Sequence, residues 1–238
     1  MPTSGFDREL EYWGADTIRA LRHLAARLVR IRRVFFFETD LRQPLVIATA
    51  SIPLDIRVGT ATDIETFARD LTAAGLSVDD AKQRLQRGQV PIIAVSDGHL
   101  AHIHWLVLAG PVMLDELGLT LHLGHGEAYN SLAVTLPGWR GKGIHPAVSC
   151  FINRYERSRG FTRDLFYIWA HNVANLKVVV GKLHRRRTKT FWVLWFLGTG
   201  RPWPFGRTRH GVPRLRRAPA SSISGVLDGR TLHWGADV

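Results

Sequence analysis

Between residues 137 and 144 the chain reads Pro137-Gly138-Trp139-Arg140-Gly141-Lys142-Gly143-Ile144. Gly141 and Gly143 carry no Cβ, so consecutive backbone N–H groups there can close around an anion. A helical pattern starts at about Ile144, and a helix start adds unsatisfied N–H donors and the positive end of its dipole. Arg140 and Lys142 bring mobile positive charge. The chemistry indicated is phosphate or diphosphate binding, with a plain strand-to-helix turn as the competing reading. A second group of residues is His102 and His104, which share one face of a predicted strand because strand side chains alternate. Two histidines so placed raise the question of a metal, but the spacing offers no third ligand nearby. The expectation is a polar cleft lining and no metal. Cys150, the single cysteine, falls inside a helical pattern and reads as a small buried hydrophobe, not a nucleophile.

These residues need elements to position them. A strand over residues 127–135 leads into the glycine-rich turn. The helix after it carries Ile144, Val148, Phe151, Ile152 and Tyr155 at helical spacing and closes at Arg159-Gly160. Upstream, Asp16 can cap a basic amphipathic helix running to about Arg33, followed by a strand at 34–37. A short strand at 56–58 precedes two helices, one capped at Asp63 and one opened by Ser77-Val78-Asp79-Asp80. Strands at 91–96 and 100–108 meet at Asp97-Gly98, a favoured dipeptide for a tight hairpin. Residues 110–126 read as a connection with helical stubs. Downstream come a strand at 165–170, a helix from Asn172 to about Lys182, and an apolar, aromatic strand at 190–197 expected to close the sheet.

Several of these residues resemble a known family. Arg140-Gly141-Lys142-Gly143-Ile144 resembles the pyrophosphate-binding signature of the acyl-CoA N-acyltransferase (GNAT) superfamily, Arg/Gln-x-x-Gly-x-Gly/Ala. Pro137-x-Trp139 is similar to the Pro-x-aromatic that often precedes it. His145 departs, standing where the family has Gly or Ala. Asn172-Val173-Ala174-Asn175 resembles the Asn-x-x-Ser/Ala element that opens the family's next helix, and Lys182-Leu183-His184-Arg185 departs from its Lys-Leu-Gly-Phe ending. The resemblance spans residues 55–198. It implies a mixed α/β sheet of GNAT type whose central strands splay apart, with an added N-terminal helix and a basic C-terminal tail. The implied division is an extension at 1–54, the acyltransferase domain at 55–198 and a tail at 199–238.

The resemblance also implies an activity and a site. The reaction would be transfer of an acyl group, acetyl first, from acyl-CoA to a primary amine of a small or carrier-linked acceptor. Amides at Arg140, Gly141, Lys142, Gly143 and Ile144 would hold the diphosphate of acetyl-CoA or another acyl-CoA. The backbone of Leu132, Ala133 and Val134 would pair with the pantetheine arm and polarise the thioester carbonyl. Asn172 would bond the arm or simply cap its helix. Glu127 is the first candidate for general base, with His104, His122 and His171 as alternatives near neutral pH. The tyrosine that many relatives carry in the helix after the asparagine is missing here, where the chain reads Val178-Val179-Val180. Tyr129 or Tyr167 is left as a candidate acid if the fold aims one into the gap. The missing tyrosine, with His145 and His184, also leaves room for a non-catalytic binding protein.

Composition sets the remaining bounds. A net charge of +12 and a pI near 10.9 favour anionic partners. Hydrophobic residues make up 45% of the 238 residues, enough for a full core. A single cysteine excludes an intramolecular disulfide and suits a reducing compartment. No apolar run reaches the ~20 residues of a membrane span, and a cytoplasmic protein is the default expectation. Residues 201–220 hold six arginines, four prolines and no acidic residue. They read as an extended tail able to clamp nucleic acid or anionic lipid, with Trp203 and Phe205 available to stack on bases.

Overall fold

A computed structural model describes residues 29–196, 202–205 and 214–217. Eight strands form the main sheet: β1 (Val29–Asp40), β2 (Asp55–Val58), β3 (Val90–Ser96), β4 (His99–Val107), β7 (Glu127–Thr135), β8 (Arg163–Trp169), β9 (Arg186–Phe196) and β10 (Pro202–Phe205). Their spatial order is β10-β9-β1-β8-β7-β4-β3-β2. A second sheet has the order β11-β6-β5, from β5 (Pro111–Leu114), β6 (Leu119–His122) and β11 (Arg214–Arg217). Every pairing is antiparallel except that of β7 with β8, which is parallel.

Alternation along the strands divides the core between two faces. On one face Ile93, Ile103 and Trp105 pack against α1 (Ala61–Thr66), α2 (Ala68–Ala73) and α3 (Val78–Gln86). The small sheet covers Val107, Tyr129 and Leu165. On the other face α4 (Ile144–Ser158) lays Ile144, Val148 and Ile152 over Ile92, Ala94 and Leu106. These three α4 side chains sit at i, i+4 and i+8 and are at most 2% exposed, so each contributes roughly 1.5–3 kcal/mol by burial. Glu156 continues the same stripe. The hairpin of β3 and β4 turns at Asp97 (φ 50°) and Gly98 (φ 76°), the left-handed pair a two-residue turn requires.

Several expectations are corrected. Residues 29–33, expected at the end of a basic helix, are strand, while residues 16–28 lie outside the described residues. That strand is no appendage: β1 pairs with β8 along one edge and with β9 along the other, because Val34 and Phe36 bury on one face and Phe35 and Phe37 on the other. The expected connection at 110–126 folds as β5, a 3₁₀ turn at Asp115–Leu117, and β6. Val112, Leu114, Leu119 and Leu121 alternate inward there. The helix expected to be capped at Asp63 is capped by Thr60, and Asp63 is the third helical residue of a reciprocal capping box. Within the expected tail, residues 202–205 and 214–217 are strands. Pro202 and Pro204 are accommodated because β10 is an edge strand, where alternate N–H groups have no partner to lose. The strand at 190–197 is not an edge, since β1 and β10 flank it.

Candidate functional site

β7 and β8 pair only over Glu127–Tyr129 and Arg163–Leu165. Beyond Tyr129 they part, and β7 itself supplies the cause. On its other edge His104 pairs with Ala133 and Leu106 with Asn130. Ser131 and Leu132 therefore both stand opposite Trp105. This is a β-bulge, pinned where the Ser131 hydroxyl donates to the Trp105 carbonyl at 3.1 Å, and a bulge bends its strand. After it, residues 131–135 keep β4 as partner and turn a free backbone edge toward β8. Leu132, Ala133 and Val134 are half-buried along that edge.

A cavity of about 50 Å³ occupies the opening. Its wall includes His104, Asn130, Ala133, His145, Asp164 and Arg185, with Tyr167 and Asn175 also lining it. The glycine-rich turn lies beside it, because His145 is the second residue of α4. Gly143 is the N-cap of α4 and left-handed, as is Gly141 (φ 74° and 79°). Among the described residues, the N–H groups of Gly141, Lys142, Gly143, Ile144 and His145 donate to no protein acceptor, as expected of a helix start. Arg140 and Gly141 are exposed. Both cations are held close to the loop. Arg140 Nε donates to the Thr135 carbonyl at 3.3 Å, and Lys142 Nζ lies 4.6 Å from the centre of the Trp139 ring. From the other side, the Ser51 N–H donates to the Lys142 carbonyl at 2.9 Å.

Below the opening lies a buried polar network. Asp164 accepts from Asn130 and from Arg185, whose guanidinium also donates to Asn153 at 3.0 Å. Burial pushes the Asp164 carboxyl up to about 6, opposed by Arg185 and Asn130. Burial, with Asp164 nearby, pushes the Glu156 carboxyl well above its ordinary range. Burial lowers His102 and His104 well below the ordinary imidazole value, assisted by the charge of His145. Burial and Arg185 bring His145 down to about 4.

The fold separates the residues expected as acid or base. His104 lines the cavity. Glu127 sits at the closed end of the β7–β8 pair, where Arg163 Nη1 lies 2.9 Å from it and the Gly124 N–H donates to it at 2.8 Å. Tyr129 is buried in the cluster beneath the small sheet, and burial raises its hydroxyl far above the ordinary range. His171 is exposed and stacks on Trp169. Tyr167, the other tyrosine considered, does border the cavity, but its hydroxyl donates to Glu116 at 3.2 Å. Asn172 is exposed and caps α5 (Val173–Leu176), accepting from the Asn175 N–H. Asn175, one turn further on, is the residue that reaches the cavity. Asp164, Arg185 and Asn130 were missed. For Asn130 and Asp164 the only signal was a polar residue within a predominantly apolar strand, and Arg185, in the basic stretch just before β9, gave none.

No protein-family model and no curated protein sequence matches the chain. Solved structures do. A GCN5-related N-acetyltransferase from Sphaerobacter thermophilus superposes with a TM-score of 0.52 at 14% identity, covering 74% of this chain and 54% of that one. An acetyltransferase of the GNAT family from Novosphingobium aromaticivorans gives 0.48 at 15% identity, covering 71% and 66%. A GNAT family acetyltransferase from Brucella melitensis, solved with acetyl-CoA, gives 0.35 at 17% identity, covering 46% and 71%. The chain thus spans under two thirds of the length of the first two, and the fold assignment rests on the first. A mixed sheet whose parallel central pair splays beside a glycine-rich helix start, together with that superposition, shows that this chain has the fold of the GNAT acyltransferase superfamily.

Proposed function

We propose that the chain is an acyl-CoA-dependent N-acyltransferase that moves an acyl group, acetyl first, to a primary amine of a small or carrier-linked acceptor. The observation that carries this reading is a juxtaposition: unpaired amides at Gly141–His145 adjoin a free β7 edge, which leads into the opening between β7 and β8. A diphosphate on those amides would let the pantetheine arm add to the β7 edge as a short extra strand. Its thioester would then sit between Ala133 and β8. An N–H of Leu132, Ala133 or Val134 donating to the thioester oxygen would stabilise the oxyanion as the amine attacks. The C–N bond forms and the C–S bond breaks; the attacking amine gives up one proton, and the departing thiolate takes one up through solvent to leave as the CoA thiol.

Alignment is the main source of rate in this scheme. Holding two reactants in line is worth roughly 7–11 kcal/mol in favourable intramolecular cases. Arg140 and Lys142 would swing from their resting contacts onto phosphate oxygens. Asn172 would act as a helix cap, and Asn175 would reach the arm. The direct test is release of free CoA from acetyl-CoA by the full chain over a panel of amines. Amine-dependent release supports the reading, and none from a folded sample that binds acetyl-CoA leaves a binding protein.

A second reading is a basic module for nucleic acid or anionic lipid. Trp192, Trp203 and Phe205 are exposed on β9 and β10, with the Arg33 guanidinium 5.5 Å from the Trp192 ring. Steep salt dependence of binding to duplex DNA or acidic vesicles would support it.

A further inference from the structure

His102, His104 and His145 come from two elements distant in sequence, yet one ring nitrogen of each lies within 4.8 Å of the others. Their ring centres are 5.6–6.0 Å apart. Two of the three are almost wholly enclosed, with His102 0% and His104 5% exposed. One nitrogen on each of these two is unspent: His102 Nε2 and His104 Nδ1 are buried without a hydrogen-bond partner. A buried polar atom without a partner is costly, and two in one cluster would be satisfied together by a common partner.

The rest of the cluster suits a cation. His102 Nδ1 lies 2.8 Å from the Thr135 hydroxyl. With that hydroxyl accepting, the ring is fixed in the tautomer whose Nε2 lone pair is free, the arrangement by which ligating histidines are oriented. His145 stands where the signature of the glycine-rich turn has a residue without such a side chain, and its imidazole enters the cluster instead of solvent. A side-chain shift of about 1 Å brings nitrogens 4.8 Å apart toward the separation of tetrahedral ligands held ~2.0–2.1 Å from zinc.

The geometry points to a three-histidine site for a divalent d-block cation, zinc first, formed by His102, His104 and His145 at the N-terminus of α4, with its remaining position open to the cavity between β7 and β8. Three imidazoles with an open fourth position are a ligand set that zinc accepts. Such an ion would tie α4 to β4 and fix the glycine-rich turn that His145 adjoins. This site stands independently of acyl transfer, since no observation above requires a bound acyl-CoA.

The test uses the full chain stripped by chelator dialysis and titrated with cobalt chloride, a spectroscopic probe of zinc sites. Visible d–d bands of four- or five-coordinate cobalt should grow to about one equivalent per chain and be abolished by added zinc. His145→Ala and His102→Ala should each lower cobalt affinity at least about tenfold, and Thr135→Val, which keeps all three ligands, should lower it about tenfold or more. Circular dichroism identifies folded variants, and Thr135→Val serves if the histidine variants do not fold. Absence of bands with folded wild-type chain, or bands undiminished in all three variants, would overturn the proposal.

Discussion

Replacing Gly143 with alanine tests the helix start at its most constrained point. Gly143 has φ 74°, and a left-handed backbone costs a residue bearing Cβ about 1–2 kcal/mol. A Cβ there would also stand 3.2 Å from the Thr49 carbonyl oxygen and 3.4 Å from Ala50 Cα. Both are backbone atoms of a segment tied to the loop by the Ser51–Lys142 hydrogen bond, so neither can rotate away. Together these effects amount to about 2–3 kcal/mol. Gly141 is the control, because its φ is similar (79°) but nothing lies within 4 Å of its added Cβ, leaving only the backbone cost of about 1–2 kcal/mol. At ~2–4 °C per kcal/mol for a chain of this size, scanning calorimetry should show Gly141→Ala melting roughly 2–8 °C below wild type, and Gly143→Ala about 2–4 °C lower again. Equal melting temperatures for the two variants would refute the close approach of residues 49–51 to the turn. Since the Gly143 change also tilts the Ile144 and His145 amides, its acetyl-CoA affinity should fall at least about tenfold, or 1.4 kcal/mol.

Three further outcomes follow from the buried network and the first helix. Arg185→Met leaves Asp164 enclosed without its cation, so urea unfolding at pH 7 should show a loss of about 3–5 kcal/mol, partly recovered by adding Asp164→Asn. The Asp63 carboxyl is pulled down to about 2 from 3.8 by Arg57 and then by Thr60. A depressed carboxylate stabilises above its ordinary value and loses that contribution as pH falls, here from about 4 toward 2. Asp63→Asn should remove this acid transition and about 1–2 kcal/mol at pH 7, a figure reduced for the half-open Arg57. Glu156 shifts the opposite way, so its protonated form stabilises at low pH and the contribution fades as pH rises above 4.5. Denaturant midpoints from pH 4 to 8 should therefore fall less steeply for Glu156→Gln than for wild type.

Where one local signal dominated, the fold was legible. The strand at 127–135, the helix from Ile144, and the hairpin at Asp97-Gly98 all follow from apolar periodicity bounded by glycine. The helix expected to run to about Arg33 was extended too far, because residues 29–33 belong to β1, which is held by partners more than 100 residues away. Residues 110–126 misled because strands of four residues show too few alternations to outweigh Gly118 and Gly126. For the site, the glycine-rich turn was readable, but the histidine cluster was only two-thirds visible. His102 and His104 lie on one strand, while His145 joins them only once α4 crosses β4. Asp164, Asn130 and Arg185 had no readable spacing, since their contact depends on the divergence of β7 from β8.

Isothermal titration of the full chain with acetyl-CoA, set beside Gly143→Ala, tests the cofactor site most directly. Saturable binding of about one molecule per chain, weakened at least about tenfold by Gly143→Ala, is the result expected if the amides of Gly141–His145 hold the diphosphate. Absence of heat at millimolar acetyl-CoA from a folded sample, or equal affinity in the variant, would contradict it.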